Sequence, residues 1–537
     1  MAYVEGLMMD TPLDISLIWR HASLYHAARP VVTRRFDRSI HRTTMGAVLE
    51  RARRLGSALL ALGVEPGDRV ATLCATTYQH LEAFFAVAGI GAVVHTVNPR
   101  LASGDVIYLL NHADDRVVLV DQSLYPIIEA IRGEIPVRHV IVVGEDGPPP
   151  AGTLSYEAVL DQADPDGFRF VIRDERQAAA LCYTSGTTGR PRGVLYSHRS
   201  MVLHALGLVD PHVTGMSGRD VACLIAPMYH VMGWGVPWQA FLQGTALVLP
   251  GRHLDPASLL ELFASEKVTI SCGVPTVLFG LLDALDAGPD RYDLSALRMI
   301  LVGGAAVPEA TIRAFDERHG VHLVHAWGMT ETSPLGSVAY LPADLDDAPA
   351  PARYAYRASQ GLPPALVQVR VRDGAGAEVP RDGRTMGELE VRGPWVARAY
   401  FGQDDPDRWT ADGWLRTGDL ATTDARGALS IHDRAKDVIK SGGEWISSVA
   451  LENEIMAHPA VAEAAVVAMA DPKWQERPLA VVVLRPGRTL DLDALHAFLG
   501  FKVPQWWLPD RMVVADALPR GAAGKVLKAA LRARYAG

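Results

Sequence analysis

The run AAALCYTSGTTGRPRGVLYS, from Ala178 to Ser197, reads as two short strands joined by a loop crowded with glycine and hydroxyl side chains. "AAALCY" is a continuous apolar run of strand length. "GVLYS" ends at Ser197, which is placed to cap the helical pattern HRSMVLHALGLV. The loop therefore stands beside a sheet edge. Gly186 and Gly189 permit tight turns and close backbone approach, while Thr184, Ser185, Thr187 and Thr188 offer hydroxyls and amides to anionic oxygens. Arg190 and Arg192 add positive charge, and the whole has the chemistry of a phosphate cradle. The P-loop formula, glycine, four residues, then Gly-Lys-Ser/Thr, is met neither here nor by GAAGKVLK near the C-terminus, so a P-loop NTPase fails on spacing. A flexible polar surface loop is the alternative reading of the same run.

Working outward, "RVATLCA", "YQHLEAFFAVAGIGA", "VVHTVN", "SGDVIYLLNHA" and "DRVVLVD" alternate β-branched runs with helical patterns from Arg69 onward. That alternation builds βαβ units and a parallel sheet, hence an α/β architecture. It continues through "PASLLELFASEK", "VTISCGV" and "LRMILVGG". Beyond "LPADLDDAPAPARYAYR", read as a loop, short strands such as "LVQVRVRD" and "GELEVRG" predict a β-rich subdomain or barrel. From about Arg434 the patterns are mixed α+β and long enough for a small domain of their own.

A chain of 537 residues exceeds one hydrophobic core, so at least two domains are expected. With 52 basic against 61 acidic side chains, a net charge of −9 argues against a nucleic-acid partner. Cys74, Cys182, Cys223 and Cys272 are scattered in apolar runs with no CxxC pair, and read as reduced core residues of a cytosolic protein. The start MAYVEGLMMD lacks the basic and apolar regions of a signal peptide, and no apolar stretch reaches about 18 residues. A soluble, cytoplasmic protein without a transmembrane segment is the expectation.

Three further runs carry chemistry. In HAWGMTETSPLG, Glu331 is flanked by Thr330 and Thr332, a donor set suited to a hard cation such as Mg²⁺; a dipole-favoured acid at a helix N-terminus is the alternative. In DGWLRTGDLA and IHDRAKDVIKSGGEWIS, Asp419 could accept both hydroxyls of a ribose, beside Arg434, Lys436, Lys440 and the Gly442-Gly443 pair. Asp419 could equally cap a turn, with the lysines as solvated surface. In LPRGAAGKVLKAALR, Lys525 lies on a glycine-rich turn before a basic helix, either a mobile counter-charge or an ordinary surface lysine.

These motifs, in this order and over essentially the whole chain, resemble the acyl-adenylate-forming superfamily of acyl-CoA synthetases, peptide-synthetase adenylation domains and beetle luciferases. The resemblance implies a large N-terminal domain of parallel α/β subdomains with a small β-barrel subdomain, residues 1–433. A small mobile α+β C-terminal domain, residues 434–537, would turn about a hinge near Lys436. It implies that Thr184, Ser185, Gly186, Thr187, Thr188 and Gly189 hold the phosphates of ATP, with Thr187 near Mg²⁺ and Glu331 ligating it. Gly304, Ala305, His325, Ala326, Trp327 and Gly328 would form the adenine slot, with Trp327 stacking on the base, Thr330 at the α-phosphate and Val231 also on the nucleotide. Asp419 would hold the ribose with Arg434 as partner, Lys436 and Lys440 contributing to the nucleotide site. Lys525 would drive adenylation, with His230 at the carboxylate and Glu331 and Lys440 as the other catalytic groups. His230, Trp234 and Val302 would line the acyl pocket; a packed aromatic patch is the plain reading of APMYHVMGWG by itself. Lys440, Gly442, Gly443 and Trp445 would serve coenzyme A. The family often has lysine at Arg192 and tyrosine at Trp327; charge and aromatic face are kept, and identical geometry is not implied.

"HAWGMTE", "DPKWQERP" and "QWWLPD" look similar to the branch of bacterial medium- and long-chain fatty acyl-CoA ligases and 3-methylmercaptopropionyl-CoA ligases. The expected reaction is ATP-dependent joining of an apolar monocarboxylic acid to coenzyme A through an acyl-AMP, with Mg²⁺ as cofactor. A 3-methylmercaptopropionate or aryl-acid ligase is the alternative. The expected partners are small molecules, with a homodimer among the expected assemblies. A non-catalytic nucleotide or acyl-CoA sensor has no need of Lys525, and a luciferase-like oxygenase would share only the adenylation step.

Overall fold

Burying apolar strands on both faces requires helices to cover them, and the first compact unit of the chain is built that way. The computed structural model describes residue 4 and residues 6–144, 148–184, 190–442, 444–521 and 525–536. Two compact units emerge, one of Met1–Tyr183, Gly193–Pro211 and Gly215–His253, the other of Thr184–Arg192, His212–Thr214 and Leu254–Gly537.

In the first unit a seven-stranded sheet runs in the order Leu154–Ser155, His139–Val143, Asp115–Asp121, Arg69–Leu73, Val93–Thr96, Ala178–Tyr183, Gly193–Ser197. Its neighbours are parallel except for the last pair, which is the antiparallel pair that flanks the glycine-rich loop. A second group, Val221–Leu224, Ala246–Leu249, Pro30–Arg34 and Ile40–Thr44, pairs parallel until its last, antiparallel strand. Helix Tyr78–Gly89 is buried along its whole length, so its polar residues need partners inside. Glu82 finds them in Arg51, whose Nε lies 2.7 Å from Oε1, and in the Tyr156 hydroxyl, which donates to Oε2 at 2.6 Å. Burial nevertheless pushes Glu82 up to about 7. The four cysteines are free and buried, as the sequence predicts.

In the second unit, parallel strands Ile270–Gly273, Met299–Val302 and Leu323–Gly328 are followed by antiparallel Leu335–Val338. The β-rich subdomain is a four-stranded antiparallel sheet of Gln368–Arg372, Gly387–Arg392, Leu415–Thr423 and Leu429–Arg434. The mixed α+β block follows. Long strands Val461–Asp471 and Gln475–Leu484 pair along their length, Arg511–Val514 adds in parallel, and helices Ser448–Met456, Leu492–Leu499 and Lys528–Tyr535 pack on them. Among the described residues no helix is long and apolar enough to cross a membrane.

The stretch read as a loop, LPADLDDAPAPARYAYR, contains a helix, Ala350–Ala358. Prolines at its start hide the pattern, yet proline suits the first helical turn. Tertiary contacts complete it: the Arg357 guanidinium lies 2.7 Å from Asp316 and the Tyr354 hydroxyl donates to Asp316 at 2.8 Å.

Burial also lowers the imidazoles of His80 and His198 to about 4 and that of His204 to about 3. Unfolded histidine titrates near 6.5, so as the pH falls from about 6.5 toward 4 the unfolded chain binds the extra protons and these groups withdraw stability. Glu82 and Asp121, both raised to about 7, act in the opposite sense over the same window. Removing one histidine isolates its share. His204→Gln should flatten the acid-side loss by up to about 1.4 kcal/mol per pH unit, read from urea midpoints at several pH values between neutrality and 4.5; parallel slopes for the two proteins would contradict it.

Candidate functional site

Two backbone-anchored contacts close the base of the glycine-rich loop. The Thr184 N–H donates to the Arg192 carbonyl at 2.9 Å, and the Arg192 N–H donates to the Thr184 hydroxyl at 3.1 Å. Ser185, Gly186, Thr187, Thr188 and Gly189 lie outside the described residues.

Strand Leu323–Gly328 carries His325, Ala326, Trp327 and Gly328 in succession. His325 is buried beside the backbone of Ala305 and Ala358, and that burial lowers its imidazole. Gly304 takes a left-handed conformation, φ +88°, just beyond strand Met299–Val302. The Trp327 indole packs against the core of the four-stranded sheet, and its Nε1–H donates to Asp419 Oδ2 at 3.1 Å. Gly336 makes room for the ring, since a Cβ there would lie 2.3 Å from the indole edge.

Asp419 does not cap a turn. It lies within strand Leu415–Thr423, in register with Arg434, whose Nε is 2.8 Å from Oδ1. Both carboxylate oxygens are thus engaged, which is what a carboxylate 4% exposed requires. Glu331, also 4% exposed, sits in the single 3₁₀ turn Thr330–Thr332. Its Oε1 accepts from the Tyr400 hydroxyl at 2.5 Å and lies 3.7 Å from Arg408. Burial and the Glu331 charge push the Tyr400 phenol up to about 12, so it stays a donor. Tyr400 and Arg408 are the residues that sequence reasoning missed; Tyr400 is 69 positions from Glu331, and no spacing rule links them.

Lys525 keeps solvent access although protein surrounds it. That surrounding and the Arg434 charge lower its ammonium, against the pull of the Asp419 and Glu331 carboxylates. Residues far apart in the chain therefore share one field of charge: a buried acid held by an aromatic N–H and an arginine, a second buried acid, and a lysine of weakened basicity. The arrangement suits binding of a polyanion with a hydroxylated sugar.

The model of AMP-binding enzymes matches residues 19–401, and that of the AMP-binding enzyme C-terminal domain matches residues 450–525. The chain belongs to the AMP-binding enzyme family. It is 47% identical over 532 residues to a long-chain-fatty-acid–CoA ligase of Thermus thermophilus, covering 98% of this chain and 96% of the relative. A medium-chain-fatty-acid–CoA ligase of Ectopseudomonas oleovorans is 43% identical, with coverages of 99% and 97%. A 3-methylmercaptopropionyl-CoA ligase of Ruegeria lacuscaerulensis is 43% identical, with coverages of 99% and 98%. Among solved structures, an anthranilate CoA ligase in complex with anthranoyl-AMP superposes with a TM-score of 0.86 at 26% identity, covering 98% of each chain.

Within this AMP-binding enzyme, His230, Val231 and Trp234 lie in the first unit on an unusual turn. Val231, Met232, Gly233, Trp234 and Gly235 all have positive φ, at 34°, 46°, 63°, 57° and 75°. Left-handed backbone costs a non-glycine residue roughly 1–2 kcal/mol, so the surroundings must over-determine this turn. Val302 is fully buried in the second unit. In the C-terminal block Lys440 and Trp445 face each other across strands Ile439–Ser441 and Glu444–Ile446, both exposed. Gly442 beside them has φ +61°, and a Cβ there would meet the Trp474 ring at 2.8 Å. Gly443 lies outside the described residues. Among the described residues no hydrogen bond or ion pair joins Lys440 to Asp419, Arg434 or Lys525. Lys436 is exposed in the turn between Leu429–Arg434 and Ile439–Ser441.

The helix that follows Lys525 is fastened from within. Lys528 Nζ lies 2.7 Å from Glu452 and donates to the Ser448 hydroxyl, and Asp433 Oδ2 accepts from Ser448 N at 2.7 Å. Lys528→Met leaves Glu452 and Asp433 without their cation and should cost roughly 3 kcal/mol. Amide exchange of strand Gln475–Leu484 reports it; undiminished protection in the variant would contradict the assignment.

Proposed function

We propose that this AMP-binding enzyme is an acid–thiol ligase that joins an apolar monocarboxylic acid, a medium- or long-chain fatty acid, to coenzyme A with conversion of ATP to AMP and pyrophosphate. The observation that carries the reading is the shared charge field of Asp419, Arg434, Glu331 and Lys525 beside the Trp327 ring, in a chain 47% identical to a fatty-acid ligase along 98% of its length.

In this reading Trp327, with His325, Ala326, Gly328, Gly304, Ala305 and Val231, receives the adenine, and Asp419 accepts the ribose hydroxyls. Arg434 holds that carboxylate in place, with Lys436 nearby. Thr184 to Gly189 wrap the β- and γ-phosphates, and Thr330 meets the α-phosphate. One buried carboxylate, Glu331, with Oε1 held by Tyr400, fits Mg²⁺, which takes few protein ligands and leaves positions for phosphate oxygens. Glu331 with Thr187 would hold it, and when bound it neutralises charge on the departing pyrophosphate. The acid's carboxylate, guided by His230, attacks the α-phosphorus to give acyl-AMP and pyrophosphate. Lys525 donates hydrogen bonds to the developing charge. His230, Trp234 and Val302 line the acyl side.

The thiol of coenzyme A then attacks the acyl carbonyl and expels AMP. Lys440, Gly442, Gly443 and Trp445 serve this step, presented by a C-terminal domain of residues 434–537 that turns about a hinge near Lys436 on a larger domain of residues 1–433. Such alternation lets one site serve two half-reactions. A cytoplasmic enzyme, working as a homodimer, completes the proposal. The Ruegeria relative favours 3-methylmercaptopropionate as a second substrate reading, and the anthranilate ligase an aryl acid.

Acid-dependent ATP–pyrophosphate exchange should appear with one of a panel running from acetate to palmitate and including 3-methylmercaptopropionate and aryl propionates. Lys525→Ala should abolish it while thioester formation from supplied acyl-AMP survives. No exchange with any acid of the panel would overturn the ligase reading, and thioester yield across the panel identifies the substrate.

A further inference from the structure

The segment 395–409 has no role in the scheme above, yet it binds both Glu331 and the chain that follows it. The Ala397 N–H donates to the Glu331 carbonyl at 2.7 Å. The Ser333 hydroxyl donates to the Trp395 carbonyl at 2.7 Å, and the Trp395 indole returns a bond to the Leu335 carbonyl at 3.0 Å. The side chain itself is held by the Tyr400 hydroxyl on Oε1 at 2.5 Å. The Tyr400 ring meets Trp409 edge-on at 5.1 Å, and the Trp409 indole donates to the Ala397 carbonyl at 2.8 Å, so the segment folds back on itself.

The other end of Tyr400 reaches the glycine-rich loop. The Arg192 guanidinium lies over the Tyr400 ring, 5.1 Å from its centre, and its Nη1 is 2.6 Å from Asp405 of the same segment. Arg192 is also the residue whose backbone closes the base of the loop with Thr184. One tyrosine thus touches the acid with its hydroxyl and the root of the phosphate-binding loop with its ring. A planar guanidinium makes that stacking contact, which a lysine ammonium does not reproduce.

We propose that Tyr400 is a positioning residue for the cation that accompanies ATP. By taking Oε1 of Glu331 it fixes the plane of the carboxylate and leaves Oε2 as the oxygen that would meet the metal, while Arg192 over its ring holds the tyrosine in that place. The inference rests on the reading of Glu331 as the metal-binding acid. Groups that orient a metal-binding carboxylate typically change metal affinity by about 10–100-fold when removed. A tyrosine that merely fills the core would change stability and leave metal affinity alone.

Tyr400→Phe removes one hydroxyl and keeps the ring under Arg192 and against Trp409. Its half-saturating Mg²⁺ concentration in ATP–pyrophosphate exchange should rise about tenfold or more, and Mn²⁺ binding in the presence of ATP, followed by electron paramagnetic resonance, should weaken in parallel. Thioester formation from supplied acyl-AMP should be unchanged. Arg192→Lys, which keeps the charge beside Asp405 and loses the stacked plane, should shift both metal readouts in the same direction by less. Unchanged metal dependence in Tyr400→Phe would overturn the proposal, whatever its thermal stability. If Tyr400→Phe does not fold, an unshifted Arg192→Lys overturns it instead. Because Mn²⁺ binding needs no acid substrate, a wild-type protein that binds Mn²⁺ and ATP but exchanges no pyrophosphate sinks the ligase reading and leaves the role of Tyr400 standing on the binding shift alone.

Discussion

A carboxylate taken out of water must be met by hydrogen-bond donors, and Asp419 meets that demand from two directions at once. Trp327 answers from one sheet and Arg434 from the next strand of another. The requirement fixes the register of Leu415–Thr423 against Leu429–Arg434, sets the rotation of the indole, and brings the end of the four-stranded sheet beside strand Leu323–Gly328. Lys525 joins this frame from the far end of the chain; burial and the Arg434 charge lower its ammonium while Asp419 pulls the other way. The chemistry attributed to the enzyme therefore hangs on one desolvated acid more than on any loop.

The α/β alternation is legible in the sequence because strands buried on both faces are apolar throughout and break sharply at glycine and polar turns. Val117 to Val120 and Leu323 with Val324 are examples, nearly wholly buried. Ser197 is legible as a cap because its hydroxyl accepts from the N–H of Ser200, a local contact. Helix Ala350–Ala358 is not legible, since its prolines mimic a loop and its stability comes from Asp316, a residue outside the segment. Glu331 and Asp419 stand out by composition, but their surroundings do not. Tyr400 and Arg408 are ordinary residues in an ordinary stretch, and only tertiary structure turns them toward an acid.

The turn after His230 and the frame around Asp419 are built on different physical terms. Around Asp419 and Glu331 the buried carboxylates are held by donors, Trp327 and Arg434 on one and Tyr400 on the other. Just after His230 the backbone instead stores conformational strain at three residues of one left-handed run, Val231, Met232 and Trp234, the first of them β-branched. Strain of this kind persists only under a well-packed environment, and buried Met228, Met232 and Trp238 supply part of it.

Gly336 deserves a last consequence. The indole of Trp327 occupies the space where any side chain at position 336 would begin, with 2.3 Å between a Cβ and the ring. The two positions therefore share one volume: while the indole stands at 327, a side chain at 336 has to displace it. A smaller side chain at 327 would free that volume, and the glycine and the tryptophan are thus two halves of one packing solution.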